Sequence, residues 1–199
     1  MLTSNKISSL VIDTLRKGTR GQNIAVVFLY CDYKAQKDQS AVNMIGGLVR
    51  QTALRVPRIP SEIKSAFEES KKEGGDGLQL PDMVKLFVKV TGSIRMVYIC
   101  IDAVDEVLPQ HRFEFFRALR QILQDAPDVR LFLTGRPYIR GEIDKHLTKR
   151  AYAIHIVADQ GDITRYLIQK MEDDQDPGSM TEDLRNNIMK TMLEKTSGM

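Results

Sequence analysis

Residues 96–106 read MVYICIDAVDE, an apolar run that stops at three closely spaced carboxylates. A continuous run of β-branched and aromatic residues is typical of a strand that is buried on both faces of a sheet. The acids Asp102, Asp105 and Glu106 therefore emerge at the carboxyl end of the predicted strand. Open α/β sheets bind their ligands beyond that end. The stretch thus predicts a buried strand and places candidate functional residues at its tip.

Asp102 stands at the end of the strand, where a carboxylate can hold a hydrated Mg²⁺ beside the phosphates of a nucleotide. A nearby acid, Asp105 or Glu106, would then orient the attacking water. This arrangement is that of a Walker B site. The alternative is a buried strand that runs into a solvated acidic turn, and the Asp-x-x-Asp-Glu pattern favours the functional interpretation.

A phosphate-binding loop is the usual partner of such a site, and the chain contains no Gly-Lys pair that could form one. That loop needs glycines, a Lys for the outer phosphates and a Ser or Thr for the metal. The helix that would follow the loop is nevertheless predicted at the start of the chain, capped by Thr3 or Ser4. Its predicted apolar face consists of Ile7, Leu10, Val11 and Leu15. We therefore expect Met1 to be an internal position of a longer protein, the alternative being an ordinary first helix.

Thr134-Gly135-Arg136-Pro137 forms a second chemical motif, directly after a predicted strand at residues 130–133. A polar residue at such a strand end can hydrogen-bond the attacking water or the γ-phosphate, and an Arg can stabilise developing negative charge. The alternative is an ordinary Gly-x-Pro turn with a solvent-facing Arg.

Strands and helices alternate along the chain, which predicts a mostly parallel sheet with right-handed crossovers. Besides the acid-tipped strand and residues 130–133, strands are predicted at residues 23–31 and 152–157. Helices are predicted at residues 38–55, 61–72, 80–91, 110–125 and 139–147, and a glycine-rich surface loop at residues 70–77. The inward positions of the second helix are Val42, Ile45, Leu48, Val49 and Thr52. Those of helix 110–125 are Phe113, Phe116, Leu119 and Leu123.

The composition narrows the function classes. With 199 residues and 42% apolar content, the chain is large enough for a substantial core. The formal charge of +3 is too small for a dedicated nucleic-acid binder, and no apolar run of about 18 residues could span a membrane. We therefore expect no nucleic-acid or membrane partner and a cytoplasmic location. Cys31 and Cys100 are interpreted as buried reduced thiols, and the histidines follow no zinc-binding pattern.

Four blocks along the chain carry a family resemblance: VID at residues 11–13, FLYCDY at residues 28–33, IDAVDE at residues 101–106 and LFLTGRP at residues 131–137. In this order they resemble the successive blocks of NACHT-type P-loop NTPases of the STAND class. The resemblance is greatest to the nephrocystin-like N-terminal domains of large fungal signalling proteins. It continues through Asp162, Ile163 and Tyr166 to Ser197, Gly198 and Met199. We therefore expect relatives of this chain among nucleotide-dependent signalling proteins.

The resemblance implies an α/β fold, with a parallel-sheet P-loop NTPase core at residues 1–158 that lacks its first strand and phosphate loop. The start of a helical subdomain follows at residues 159–199, as two helices joined by a loop at residues 173–179. In this family the missing strand lies between the sensor strand and the last strand. The strand predicted at residues 152–157 would therefore lack a neighbour in this chain.

The resemblance also implies a function, namely that of a fragment of a nucleotide-dependent signalling switch with Mg²⁺ and ATP or GTP as cofactors. Asp102 would bind the metal, Asp105 or Glu106 would position water, and Thr134 and Arg136 would sense the γ-phosphate. Protein partners would act through other domains of the parent, which could oligomerise at full length. The family more often has Gly or Leu where this chain has Ala103 or Val104, and usually Ser in place of Gly135.

A different class of function stays open, in which the chain is a non-enzymatic interaction module derived from such a domain. The missing phosphate loop favours this alternative for the chain as it stands. For the same reason we expect no nucleotide hydrolysis by these 199 residues alone.

Overall fold

The computed structural model describes residues 4–56, 77–147, 151–156, 160–173 and 180–196, together with Ser61, Ser65 and Glu68. The chain divides into two compact units, Ser4–Ala151 and Tyr152–Met199 with Met1–Thr3. The predicted domain boundary after residue 158 stays a prediction. The helix predicted at residues 61–72 and the loop predicted at residues 70–77 lie almost entirely outside the described residues.

A parallel sheet of three strands forms the centre of the first unit, as far as the described residues show. The strands are β1 (Ile24–Tyr30), β2 (Met96–Asp102) and β3 (Val129–Leu133), in the spatial order β1-β2-β3. The register pairs Tyr30 with Asp102 and Ile101 with Leu133, so the three strands end at nearly the same level. The predicted α/β class and parallel sheet are confirmed.

Four helices of the first unit flank the sheet: α1 (Ser4–Gly18), α2 (Ala41–Ala53), α3 (Leu80–Thr91) and α4 (Pro109–Asp125). Ser40 caps α2 by accepting a hydrogen bond from the Asn43 N–H, and proline occupies the first turn of both α3 and α4. The short helix α5 (Arg140–Glu142) continues into a π-helical turn at Ile143–Leu147. These elements confirm the helices predicted around residues 38–55, 80–91, 110–125 and 139–147.

The core has two parts because β1 alternates its side chains between the two faces of the sheet. Ala25 and Val27 belong to the larger cluster, which α2, α3 and α4 complete with fully buried Ile45, Leu48, Phe87, Phe115 and Phe116. Val26 belongs to a smaller cluster with Ile12 of α1 and Cys100 of β2. The sheet is therefore covered on both faces, as a parallel sheet requires.

In two helices the buried face is rotated from the predicted one, although the predicted Phe116 and Leu119 of α4 are fully buried. In α1 the predicted Leu10 is 65% exposed, while Ser8 and Ile12 are buried. In α4 the predicted Phe113 is 41% exposed, while Arg112 and Phe115 are buried. Each buried face includes a polar residue, which a search for apolar periodicity alone leaves out.

The strand predicted at residues 152–157 is wrong for the residues that the structure describes. Residues 151–156 form no strand, although Tyr152, Ile154 and Ile156 alternate with smaller or more polar neighbours. The side chains of these three residues are exposed. A strand needs a hydrogen-bonded neighbour, and none of the described strands pairs with this segment.

The second unit contains two helices within its described residues, α6 (Gln160–Glu172) and α7 (Glu182–Thr196). They confirm the two helices predicted for residues 159–199, while most of the loop predicted between them lies outside the described residues. No described helix of the chain combines the length and the apolar content needed to cross a bilayer.

The corrected face of α4 gives a direct test by substitution. Phe116 is fully buried, so Phe116→Ala should lower the free energy of unfolding by about 3–5 kcal/mol through lost burial and a cavity. Phe113→Ala removes the same atoms from an exposed position and should cost less than about 1 kcal/mol. Urea unfolding followed by circular dichroism measures both. A similar loss in the two variants would contradict the observed face.

Candidate functional site

The carboxyl ends of the three strands bring the two predicted motifs together. A short 3₁₀ turn lies just beyond each strand end: Tyr33–Ala35 after β1, Val104–Glu106 after β2 and Pro137–Ile139 after β3. We call this region the acidic edge and define it by the predicted site residues Asp102, Asp105, Glu106, Thr134 and Arg136. The structure places all five at this edge, where Asp102 contacts Thr134, Asp105 contacts Arg136 and Glu106 contacts the loop after β1.

Asp102 is the buried centre of the acidic edge, with a relative exposure of 2%. Its Oδ1 atom accepts hydrogen bonds from the hydroxyl groups of Ser8 and Thr134, each at 2.6 Å. The Thr134 hydroxyl also accepts a hydrogen bond from the Ala103 N–H at 3.0 Å. Thr134 therefore links the tip of β2 to the tip of β3, while Ser8 links it to α1.

Asp105 contacts the loop after β3, in which Arg136 lies. Its carboxylate accepts a hydrogen bond from the Arg136 N–H at 3.2 Å and lies 3.4 Å from the Nε atom of the same residue. The Asp105 side chain is only 6% exposed, whereas that of Arg136 is 74% exposed. Because one partner is solvated, the ion pair contributes little stability and the guanidinium group stays accessible to a ligand.

Glu106 turns in the other direction, towards β1. Its Oε2 atom accepts a hydrogen bond from the Tyr33 N–H at 3.0 Å, and its carbonyl oxygen accepts one from the Gln36 amide at 2.9 Å. The two acids of the turn therefore bind different neighbours. Asp105 binds the loop after β3, and Glu106 binds the loop after β1. Which of them orients a water molecule stays a prediction.

Arg112 and Ser8 are two site residues that the sequence analysis missed. Arg112 is 3% exposed and forms two parallel hydrogen bonds of 2.7 Å to the Glu142 carboxylate. Its Nη1 atom donates to the carbonyl oxygens of Asp105 and Val107 at 3.1 and 2.9 Å. It thereby ties the acidic turn to α5. The sequence did contain a signal for both residues, namely their spacing. Ser8 and Arg112 each lie three or four residues before a buried apolar residue and therefore on the same face of the helix.

The Arg112–Glu142 pair shifts both pKa values in the direction of the charged forms. The hydrogen bond to Glu142 raises the pKa of Arg112 against the opposing effect of burial. The hydrogen bond from Arg112 lowers the pKa of Glu142. The pair is thus ionised at neutral pH, and its two bonds form a rigid bridge between α4 and α5.

The backbone of the acidic edge has two special positions. Ala103 adopts a left-handed conformation, with φ 53° and ψ 45°, which residues other than glycine rarely adopt. At Gly135 an added Cβ atom would come within 2.5 Å of Ile139 Cδ1 and 3.3 Å of Asp105 Oδ1. Glycine at position 135 therefore lets the loop after β3 approach the acidic turn closely.

Cys31 lies near the carboxylates of the acidic edge, and both burial and these charges affect the pKa of its thiol. Burial raises the pKa of its thiol to about 12, with smaller contributions from the negative charges of Asp102, Glu106 and Asp105. Burial also raises the pKa of Cys100 to about 11. Both thiols are free, buried and protonated at neutral pH, which agrees with their predicted structural role.

The donor atoms at the acidic edge are hard oxygens, namely the Asp102 carboxylate and the Ser8 and Thr134 hydroxyl groups. Mg²⁺ prefers such ligands and is commonly held by one or two carboxylates together with phosphates and water. Within the described part of the chain, no group of three His, Cys, Asp or Glu side chains could hold a metal by itself. The chemistry of these oxygens suits Mg²⁺, and metal binding by Asp102 stays a prediction.

Residues 5–136 match the family model described as Nephrocystin 3, N-terminal. The matched region includes α1, the three strands and both motifs of the acidic edge, and it ends at Arg136. A search of the curated proteins finds no match to the chain.

Replacement of Arg112 tests the bridge between the acidic turn and α5. Arg112→Ala leaves the Asp105 and Val107 carbonyls without their donor and should lower the free energy of unfolding by about 3 kcal/mol. Arg112→Lys keeps the charge without the two-pronged geometry and should fall between that variant and the wild type. Arg120→Ala on the exposed side of α4 is the control, with an expected loss below about 0.5 kcal/mol. Equal losses in the Arg112→Ala and Arg120→Ala proteins, by urea unfolding, would contradict this role.

Replacement of Ala103 tests the left-handed backbone. Ala103→Gly removes a conformational cost of about 1–2 kcal/mol, part of which returns as greater freedom of the unfolded chain, so we expect a net gain of up to about 1 kcal/mol. Ala118→Gly, inside α4, should instead lose about 1 kcal/mol. Thermal unfolding should therefore give shifts of opposite sign. Destabilisation of similar size in both variants would argue against strain at Ala103.

Proposed function

The chain belongs to the nephrocystin 3 N-terminal family, and from this membership we propose that its acidic edge serves a nucleotide-binding signalling domain of the NACHT type. The edge would face the Mg²⁺ ion and the γ-phosphate of ATP or GTP. A P-loop NTPase core, a cytoplasmic location and protein partners recruited through other domains of a longer protein are parts of the same proposal.

One observation carries this proposal, namely the 2.6 Å hydrogen bond from the Thr134 hydroxyl to the Asp102 carboxylate. The two motifs lie 32 residues apart in the sequence at this contact, and they meet at the same carboxyl edge. Parallel sheets bind ligands at this edge. The contact therefore supports a common ligand for the two motifs.

Each residue of the edge has a role in the proposal that follows from its contacts. Asp102, with the Ser8 and Thr134 hydroxyl groups beside it, would hold Mg²⁺ through its carboxylate. Arg136 would exchange its exposed contact with Asp105 for a phosphate, an exchange that costs about 1 kcal/mol or less. Asp105 would then be released to accept a hydrogen bond from water. Bound Mg²⁺ would supply charge neutralisation for the phosphates.

A second candidate function is a protein-interaction module that does not hydrolyse nucleotide. Its supporting observation is that the Asp102 carboxylate already receives two short hydrogen bonds from Ser8 and Thr134, as a purely structural carboxylate would. Exposed apolar side chains of the second unit, Tyr152, Ile154 and Ile156, could then contact a partner.

Nucleotide binding separates the two candidates. In the longest natural product that contains these residues, binding of ATP or GTP should require Mg²⁺ and should weaken about ten-fold or more in Asp102→Asn. Asp128→Asn is the matched control, because Asp128 is exposed and precedes β3 at the opposite edge of the sheet. Equilibrium dialysis measures both affinities.

Binding that is unchanged in Asp102→Asn, or absent from the wild type, would overturn the nucleotide proposal. Capture of a partner protein without nucleotide, retained in Asp102→Asn, would then support the interaction module. Hydrolysis is measured on the 199-residue chain, and turnover above a buffer blank would contradict our expectation that this chain alone is inactive.

A further inference from the structure

A basic cavity of about 570 Å³ lies at the amino edge of the sheet, opposite to the acidic edge. Its walls are the last turn of α1, the turn that leads into β1 and the residues that follow α2. Four cationic side chains line it: Arg16, Lys17, Arg20 and Arg55. Asp13 is the single acidic residue among the lining residues that the structure describes.

The cations of this cavity are not neutralised by neighbouring carboxylates. Among the described residues, none of Arg16, Lys17, Arg20 and Arg55 forms an ion pair, and Asp13 leaves the lining with a formal surplus of three positive charges, from four cations and one acid. The net charge of the whole chain is +3. The cavity therefore holds as much net positive charge as the entire chain.

Cations near helix C-termini can be explained by their attraction to the helix dipoles alone. Here the partial negative charge of those termini is smaller than the surplus positive charge of the cavity. The helices α1, α2 and α3 end near this edge, and each helix C-terminus carries about half a negative elementary charge. Three termini thus offset about 1.5 charges at most, which leaves about half of the surplus without compensation. The four cations are solvent-exposed, so the positive charge that the helix termini do not offset is accessible to an anion from solution.

The geometry of the cavity suits phosphate groups. The Arg16 guanidinium lies 4.7 Å from the centre of the Phe28 ring, so one cation is already held in place by a side chain. Guanidinium groups bind phosphate through paired hydrogen bonds, and three of the four cations are arginines. Ile24 and Ile94 also line the cavity and offer apolar surface to a less polar part of a ligand.

We propose that this cavity binds a soluble anion that carries at least two phosphate groups. Its volume lies within the range of about 300–1,000 Å³ that is typical of small-molecule sites. The site needs no Mg²⁺ and none of the residues of the acidic edge, so it is independent of the nucleotide proposal.

Calorimetric titration with pyrophosphate, without divalent cations and at about 50 mM NaCl to limit screening, tests the proposal. The 199-residue chain should bind one pyrophosphate saturably, and Arg20→Gln/Arg55→Gln should weaken binding about ten-fold or more. Arg117→Gln/Arg120→Gln removes the same charge from exposed positions on α4 and should change the affinity less than about two-fold. Saturable binding without a divalent cation separates this site from the acidic edge, where the proposed nucleotide binding requires Mg²⁺.

Three results would overturn the proposal. The first is the absence of saturable binding by the wild type. The second is an equal loss in the two double variants, because net charge alone would then account for the binding. The third is binding of phosphatidylinositol bisphosphate vesicles that pyrophosphate does not displace, since a membrane surface would then be the ligand. Vesicle binding that pyrophosphate does displace supports the shared phosphate chemistry.

Discussion

A buried carboxylate at the end of the central strand is the constraint on which the arrangement of the first unit depends. Asp102 is 2% exposed, and a buried charge is tolerated only when hydrogen bonds replace its water. Ser8 and Thr134 supply these bonds from two other elements. Ser8 thus joins Ile12 in turning its face of α1 towards the sheet, and Thr134 adds a side-chain bond between strand tips that the register of β2 and β3 already brings together.

The same constraint explains which parts of the fold could be predicted from sequence. The strands and the acidic turn follow from local patterns, since an apolar run that ends in carboxylates identifies both. The faces of α1 and α4 follow only in part, because apolar periodicity correctly selected Phe116 but also selected exposed Leu10 and Phe113. It passed over buried Ser8 and Arg112. Each of these polar residues is buried because it hydrogen-bonds a partner that is distant in the sequence. Ser8 binds Asp102, and Arg112 binds Glu142. The prediction was wrong where a non-local polar contact outweighed the apolar pattern.

Non-local pairing also limits what the sequence predicts about the remaining strand and the site. Residues 152–156 have the alternation of a strand, but a strand forms only where a neighbour offers hydrogen bonds, and the segment itself does not encode that neighbour. At the candidate site, residue types predicted Asp102, Thr134 and Arg136, whose roles stay predictions. Local sequence does not distinguish Asp105 from Glu106, because the two acids differ in their non-local contacts. Asp105 binds Arg136 in the loop after β3, and Glu106 binds Tyr33 in the loop after β1.

The charges of the acidic edge determine how a phosphate could bind there. Asp102, Asp105 and Glu106 bring three carboxylates to this edge, and their negative charges add to burial in raising the pKa of nearby Cys31. A phosphate group brought to this edge would be repelled unless a cation accompanied it. Arg136 supplies one positive charge against three negative ones, so a divalent cation is needed to make the interaction favourable. The proposed dependence of nucleotide binding on Mg²⁺ and its proposed dependence on Asp102 therefore have the same cause, because Asp102 would hold the ion that offsets the negative charge. The basic cavity at the opposite edge differs in this respect, because its own side chains already supply the positive charge.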